Sequence, residues 1–150
     1  MRLSSARRFL PWAPLAIRLS LGVIFIAHGT QELFGIWHGP GLPPTIKINK
    51  ASVDIPAYLT LIAAGTEFIG GIAVSLGLLT RLASLGLALE TTVRIMTIHW
   101  VNGFFLNWSM APGKGHGYEF NFALLAMTIA LLLSGPGKLA LDHVLGFEED

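Results

Sequence analysis

Residues 56–79 read PAYLTLIAAGTEFIGGIAVSLGLL, an apolar run interrupted by one charge, Glu67. The hydrocarbon core of a bilayer is about 30 Å thick, so a spanning helix needs roughly 17–25 mostly apolar residues. This run has that length, and it opens on a proline that suits a first helical turn. Three further stretches read the same way: about Pro14 to Ile36, about Leu82 to Val101, and about Tyr118 to Ser134. The last is stopped by Gly135-Pro136-Gly137, as glycine and proline normally stop a helix.

Composition points the same way. The chain has 150 residues, 53% apolar and only 13% charged, where a soluble domain carries about 25% charged residues. Mean hydropathy is +0.63. A net charge of +1 without a basic stripe excludes nucleic acid as a partner. Cysteine is absent, which excludes disulfides, iron–sulfur clusters, thiolate metal sites and a cysteine redox relay. The expectation is an all-α protein, a four-helix transmembrane bundle forming one domain over residues 1–150, with the lipid bilayer as its first partner.

Only Thr80 and Arg81 separate the second and third spans, so these must be antiparallel neighbours. The other connections, about Trp37 to Ile55 and Asn102 to Gly117, are long and rich in Gly and Pro. Within them His38-Gly39-Pro40-Gly41 and Pro112-Gly113-Lys114-Gly115-His116-Gly117 read as loop stretches, which either stay flexible or fold back over an outer pocket. Arg2, Arg7, Arg8, Arg81 and Lys138 fall on one side of the spans, and Lys47, Lys50 and Lys114 on the other. That imbalance puts the N- and C-termini in the cytoplasm of a multi-pass protein of the inner (plasma) membrane. Trp12 then marks the inner edge, and Trp37, Tyr58, Trp100, Trp108 and Tyr118 the outer one. Ser5 to Leu10 has a twin-arginine flavour, but the apolar run after it is too long for a signal peptide and no small-residue cleavage site follows. The first span is therefore expected to be retained. Leu139, Leu141, Val144, Leu145 and Phe147 alternate with polar residues and read as an interfacial tail, closing on the solvated acids Glu148, Glu149 and Asp150.

An ionisable side chain at the centre of a span costs on the order of 2.5–3.5 kcal/mol on insertion scales, so each must face protein or water. At about 1.5 Å of rise per residue, Glu67 and Glu90 lie roughly 16 Å below the outer surface, Arg94 and His28 roughly 12 Å, Glu32 roughly 6 Å, and His99 only a few Å. Arg18, one turn from the cytoplasmic face, is expected to snorkel to it. Glu90 and Arg94 are four residues apart and share a helix face. The expectation is that Arg94 bridges Glu90 and Glu67, either as part of a working site or simply to set helix packing. His28 and Glu32 share another face and, with His99 opposite, are placed to line an outer pocket with proton-transfer groups. A di-iron site would need histidine three residues after a glutamate, but Gly70, Val93 and Phe122 follow Glu67, Glu90 and Glu119. Nothing local supports a haem between His28 and His99, and no metal is assigned. Gly65, Gly70, Gly71, Gly77 and Gly86 read as small residues that let helices approach closely.

The chain resembles the DoxX family of membrane proteins. The resemblance rests on Arg18-Leu19 and Leu21-Gly22, then His28-Gly29-Thr30-Gln31-Glu32-Leu33-Phe34-Gly35, which is similar to the family's His-Gly-x-x-Lys-Leu-Phe-Gly signature. It continues through Glu67-Phe68-Ile69-Gly70-Gly71, Gly77-Leu78-Leu79-Thr80-Arg81, His99-Trp100-Val101-Asn102-Gly103-Phe104-Phe105, Gly117-Tyr118-Glu119, Ser134-Gly135-Pro136-Gly137 and Leu141-Asp142. These motifs occur in family order from Arg18 to Asp142. The resemblance implies a four-helix membrane protein from a group in which some members serve quinone-coupled oxidation and others oxidative or catechol stress. One departure is that Glu32 stands where the signature has lysine, reversing the charge beside His28. The lack of cysteine removes any covalent sulfur intermediate on this chain.

The expected function is a component of a membrane oxidoreductase system handling a quinone-like small molecule, with quinone as the candidate cofactor. His28 and Glu67 would be its catalytic residues, and Glu32, Glu90, Arg94, His99 and Glu119 its ligand-binding residues. The alternative is a non-catalytic anchor or assembly subunit for soluble redox enzymes, and a small-molecule carrier ranks third. Soluble or membrane redox proteins are the expected protein partners, and self-association is left open.

Overall fold

The computed structural model describes residues 9–148. Among them it is all-helical, with no strand. Arg2, Arg7, Arg8, Glu149 and Asp150, on which part of the orientation and tail readings rest, lie outside the described residues. Six α-helices follow in order: α1 (Ala13–Phe34), α2 (Leu42–Val53), α3 (Ala57–Leu76), α4 (Thr80–Arg94), α5 (Glu119–Ser134) and α6 (Leu141–Val144). By length and composition, Leu10–Phe34 and Ala57–Leu76 are each able to cross a bilayer. α5 is a shorter apolar helix of 16 residues, and α4 runs on into a π-turn at Ile95–His99 and a 3-10 turn at Trp100–Asn102.

α1, α3, α4 and α5 form the bundle. α1 lies along α3, α5 along α4, and the α3–α4 contact joins the two pairs. Leu21 and Phe25 of α1, Val74 of α3, Leu87 of α4 and Leu124 and Leu131 of α5 meet in one buried cluster. Close approach of α1 and α3 depends on Gly29: a methyl group there would sit 2.6 Å from the backbone nitrogen of Phe68. Gly71 is nearly as tight against the backbone nitrogen of Ile26 (2.9 Å), Gly70 faces the Leu87 side chain at 3.1 Å, and Gly77 faces Arg18 and Ala140. Gly65 faces open space, however, and Gly86 has only an ordinary contact with Thr66, so these two are not packing glycines.

Outside this apolar core, much of the lateral surface is also apolar, and several polar side chains are buried. Leu19, Val23, Ile62, Ile69, Leu82, Leu89, Phe122 and Leu133 point outward, while Arg18, Thr60, Glu67, Ser84, Thr91 and Thr128 are buried. Large apolar surfaces of this kind demand a partner, and a lipid surround supplies one while forcing polar groups inward.

Three expectations need correction. The first connection is not all loop, because α2 occupies most of it. Gly41 adopts φ +74° and prolines fill the first turn, where their missing N–H groups cost nothing. Second, Arg18 does not snorkel to solvent. It is fully buried and donates from Nη2 to the carbonyl oxygens of Lys138 (3.1 Å) and Leu139 (3.0 Å). The C-terminal segment folds over this end of the bundle and supplies those carbonyls. Third, that segment is more than an interfacial tail. Buried Asp142 accepts the N–H groups of Leu79 (2.5 Å) and Thr80 (2.9 Å), which pins the left-handed residue Leu79 (φ 47°) and caps the start of α4. Leu139, Val144 and Phe147 nevertheless remain exposed. Lys138 N–H donates to Pro11, so Arg81, Lys138 and the start of α1 share one end of the bundle.

Candidate functional site

At the opposite end, Arg94 occupies the last turn of α4 and its side chain is 21% exposed. Each of its three side-chain nitrogens meets a different carboxylate. Nε is 2.7 Å from Glu90 Oε1, Nη2 is 2.8 Å from Glu67 Oε1, and Nη1 is 2.8 Å from Glu32 Oε1. The planar fork of a guanidinium permits this arrangement, whereas a lysine point charge would not. The expected bridge from Glu90 to Glu67 is therefore present, and Glu32 of α1 joins it. With a glutamate at position 32, the charge reversed relative to the family signature is met by Arg94. Three carboxylates around one guanidinium leave the cluster two positive charges short.

A cavity of about 330 Å³ opens beside this cluster, near the lower end of the range for small-molecule sites. Glu67, Glu90 and Arg94 form one side, and Phe25, Leu124 and Asn121 line it further. Glu67 is 3% exposed, and its second carboxylate oxygen, Oε2, is buried without a hydrogen-bond partner. A buried orphan acceptor is costly unless something pairs with it. His28 and Phe120, with rings 6.4 Å apart, flank the cavity from α1 and α5 and are both exposed.

One end of the cavity, away from the C-terminal segment, is covered by the loop between α4 and α5. Leu106, His116 and Gly117 of this loop line the cavity. Asn107 organises it: Nδ2 donates to the carbonyls of Ala111 (3.1 Å) and Lys114 (2.8 Å), and Oδ1 accepts the Ala111 N–H (3.0 Å). Of the two readings for this Gly- and Pro-rich stretch, folding back over a pocket is the one realised. The other such stretch, His38 to Gly41, is tied to the end of α1 through Gly41 N–H and Gln31 and does not line the cavity.

The π-turn at Ile95–His99 adds a residue's worth of rotation to the end of α4, a local irregularity often found at functional sites. His99 lies at its end and reaches the cavity, where Nδ1 contacts the carbonyl of His116 at 2.9 Å. On the far side of Glu90 and Arg94 lies a second, largely apolar cavity of about 480 Å³, bounded by Leu59, Ile62, Leu89 and Val93. Glu90 and Arg94 thus line both cavities, the first carrying most of the ionisable side chains and the second almost wholly apolar.

Of the residues singled out from the sequence, His28, Glu67, Glu90, Arg94 and His99 come together around one cavity. Glu32 reaches Arg94 but does not line the cavity. Glu119 stands apart, because its Oε2 accepts the Leu106 N–H (3.1 Å) and braces the covering loop. Sequence reading passed over His116 and Asn121. The only signal for His116 was an imidazole set among glycines and a proline in Pro112-Gly113-Lys114-Gly115-His116-Gly117.

Fold and site together define a membrane protein of the helical-bundle class, apolar outside, with an ionic cluster and an imidazole-walled cavity inside. The chain belongs to the DoxX family, whose family model matches residues 13–100. It is 32% identical over 128 residues to a protein of Bacillus subtilis named "Putative oxidoreductase CatD", covering 85% of this chain and 83% of that one. It is 28% identical over 137 residues to "Uncharacterized membrane protein Rv3486" of Mycobacterium tuberculosis, covering 89% and 81%. No solved structure matches the chain.

Proposed function

We propose that the chain is a subunit of an oxidoreductase system of the inner (plasma) membrane, and that its interior cavity holds a quinone-like small molecule. In this reading the bundle crosses the bilayer four times with both termini cytoplasmic, the arrangement favoured by the lysine and arginine distribution. One observation carries the functional part: an acid with an unpartnered oxygen, Glu67 Oε2, buried beside a cavity of ligand size and a cluster short of positive charge. Such a cluster is suited to hold a proton, which a two-oxygen redox ligand must gain or lose. Glu67 and His28 are the proton-handling groups, Glu90 and Arg94 position the acid, and His99 lies at the outer wall. The relative named as an oxidoreductase supports the redox class.

The test is mass spectrometry of the protein purified in mild detergent, followed by quinone turnover in the membrane. A bound quinone, lost together with turnover in Glu67→Gln while the protein still folds, supports the reading. If Glu67→Gln lowers stability and leaves turnover intact, the cluster is a packing device. Co-purification of soluble redox enzymes without bound quinone would favour the anchor function instead.

A further inference from the structure

His99 and His116 both line the outer end of the cavity, and backbone groups fix which nitrogen of each ring bears hydrogen. A carbonyl oxygen can only accept, so His99 Nδ1, 2.9 Å from the His116 carbonyl, must carry a hydrogen. A backbone N–H can only donate, so His116 Nδ1, 3.3 Å from the Asn107 nitrogen, must be bare. The neutral rings are therefore opposite tautomers. His99 offers a bare Nε2 that accepts, and His116 offers an Nε2–H that donates. No hydrogen-bond partner in the described residues takes up Nε2 of either ring.

We propose that this donor–acceptor pair selects the reduced, hydroxylated form of the cavity's ligand over its carbonyl form. The inference rests on the quinone-linked reading above and adds to it a redox-state preference and a role for His116. A quinone oxygen only accepts. It pairs with His116 Nε2–H but sets acceptor against acceptor at His99 Nε2. A phenolic hydroxyl donates to His99 and accepts from His116, so both rings are satisfied. Forfeiting one of the two hydrogen bonds at these half-buried and exposed rings reduces binding by several-fold, up to about tenfold.

The pair depends on the fold rather than on sequence neighbourhood. The π-turn delivers His99, and the loop held by Asn107 delivers His116. His99 and His116 are thus ligand-positioning residues, distinct from the proton-handling pair Glu67 and His28.

The experiment is equilibrium binding of decylbenzoquinol and decylbenzoquinone, under anaerobic conditions, to the full chain in detergent micelles. The expected result is a Kd for the quinol lower by several-fold, up to about tenfold. His99→Asn keeps an N–H for the His116 carbonyl and removes the Nε2 acceptor, so it should bring the two affinities to within about twofold. Equal affinities in the wild type, or tighter binding of the quinone, would overturn the pair and leave the quinone-linked reading standing. Binding of neither compound would overturn both. Imidazole ¹⁵N spectra supply a check that needs no variant: His99 should show the Nδ1–H tautomer and His116 the Nε2–H tautomer. The reverse assignment would remove the basis of the inference.

Discussion

Arg94 Nη2 lies 2.8 Å from Glu67 Oε1, joining the end of α4 to the middle of α3, while Glu67 Oε2 beside it has no partner. One oxygen of this acid is held and the other is left for whatever enters the cavity. The contact ties two helices together and, in the proposed function, also orients the acid, and substitution can separate the two roles.

Replacing Arg94 with methionine leaves three carboxylates in the bundle interior without their common cation. Breaking a buried ion pair from one side costs about 3–5 kcal/mol, so Arg94→Met should lower thermal stability in detergent severely. Arg94→Lys should recover only part of the loss, since one ammonium cannot reproduce the three-way geometry. Glu32→Gln should cost less than Glu90→Gln, because the Glu32 side chain is 17% exposed against 7% for Glu90. Melting temperatures of the four variants would check this order.

Two glycines should respond to alanine with opposite sign. Gly29→Ala drives a methyl group into the backbone of α3 at Phe68, and overpacking of this kind costs about 1–3 kcal/mol. Gly65→Ala meets nothing within 4 Å and should be neutral or stabilising by up to about 1 kcal/mol through helix propensity. Thermal unfolding of both in one detergent would decide it.

Asp142→Ala removes the acceptor for two backbone N–H groups at the start of α4. Losing a cap costs about 0.5–2 kcal/mol, and the strained backbone at Leu79 loses its anchor. The expected result is a lower melting temperature with faster proteolysis of the C-terminal segment. By contrast, Glu148→Ala breaks an exposed pair with Arg81 and should change stability by less than about 1 kcal/mol.

Asn107→Ala should act locally. The covering loop loses the bonds to Ala111 and Lys114, so limited proteolysis should cut between 108 and 115 while the bundle melts nearly unchanged. Ligand affinity should fall, because His116 is delivered by the same loop. An intact loop in this variant would show that Asn107 does not organise it.

Much of this molecule was legible in one dimension because lipid simplifies the problem. Long apolar runs mark helices, and an ionisable residue inside one must find a partner, so the Glu90–Arg94 spacing and the depth of Glu67 already brought the core of the ion cluster together. The Gly- and Pro-rich connections were harder, because composition cannot distinguish a flexible loop from an ordered one. α2 was missed for that reason, since its prolines sit in a first turn where they are harmless.

What the sequence determined by itself was the helical class, the helices that carry charge and the pairing of Arg94 with Glu90, all consequences of local spacing and hydrophobicity. Tertiary structure alone decided that Glu32 completes the cluster, that Arg18 is sealed beneath the C-terminal segment, that Glu119 braces a loop, and that His116 joins His99 at the cavity. Those outcomes depend on where the chain returns after long connections, and residues 17 or 120 positions apart meet only through packing.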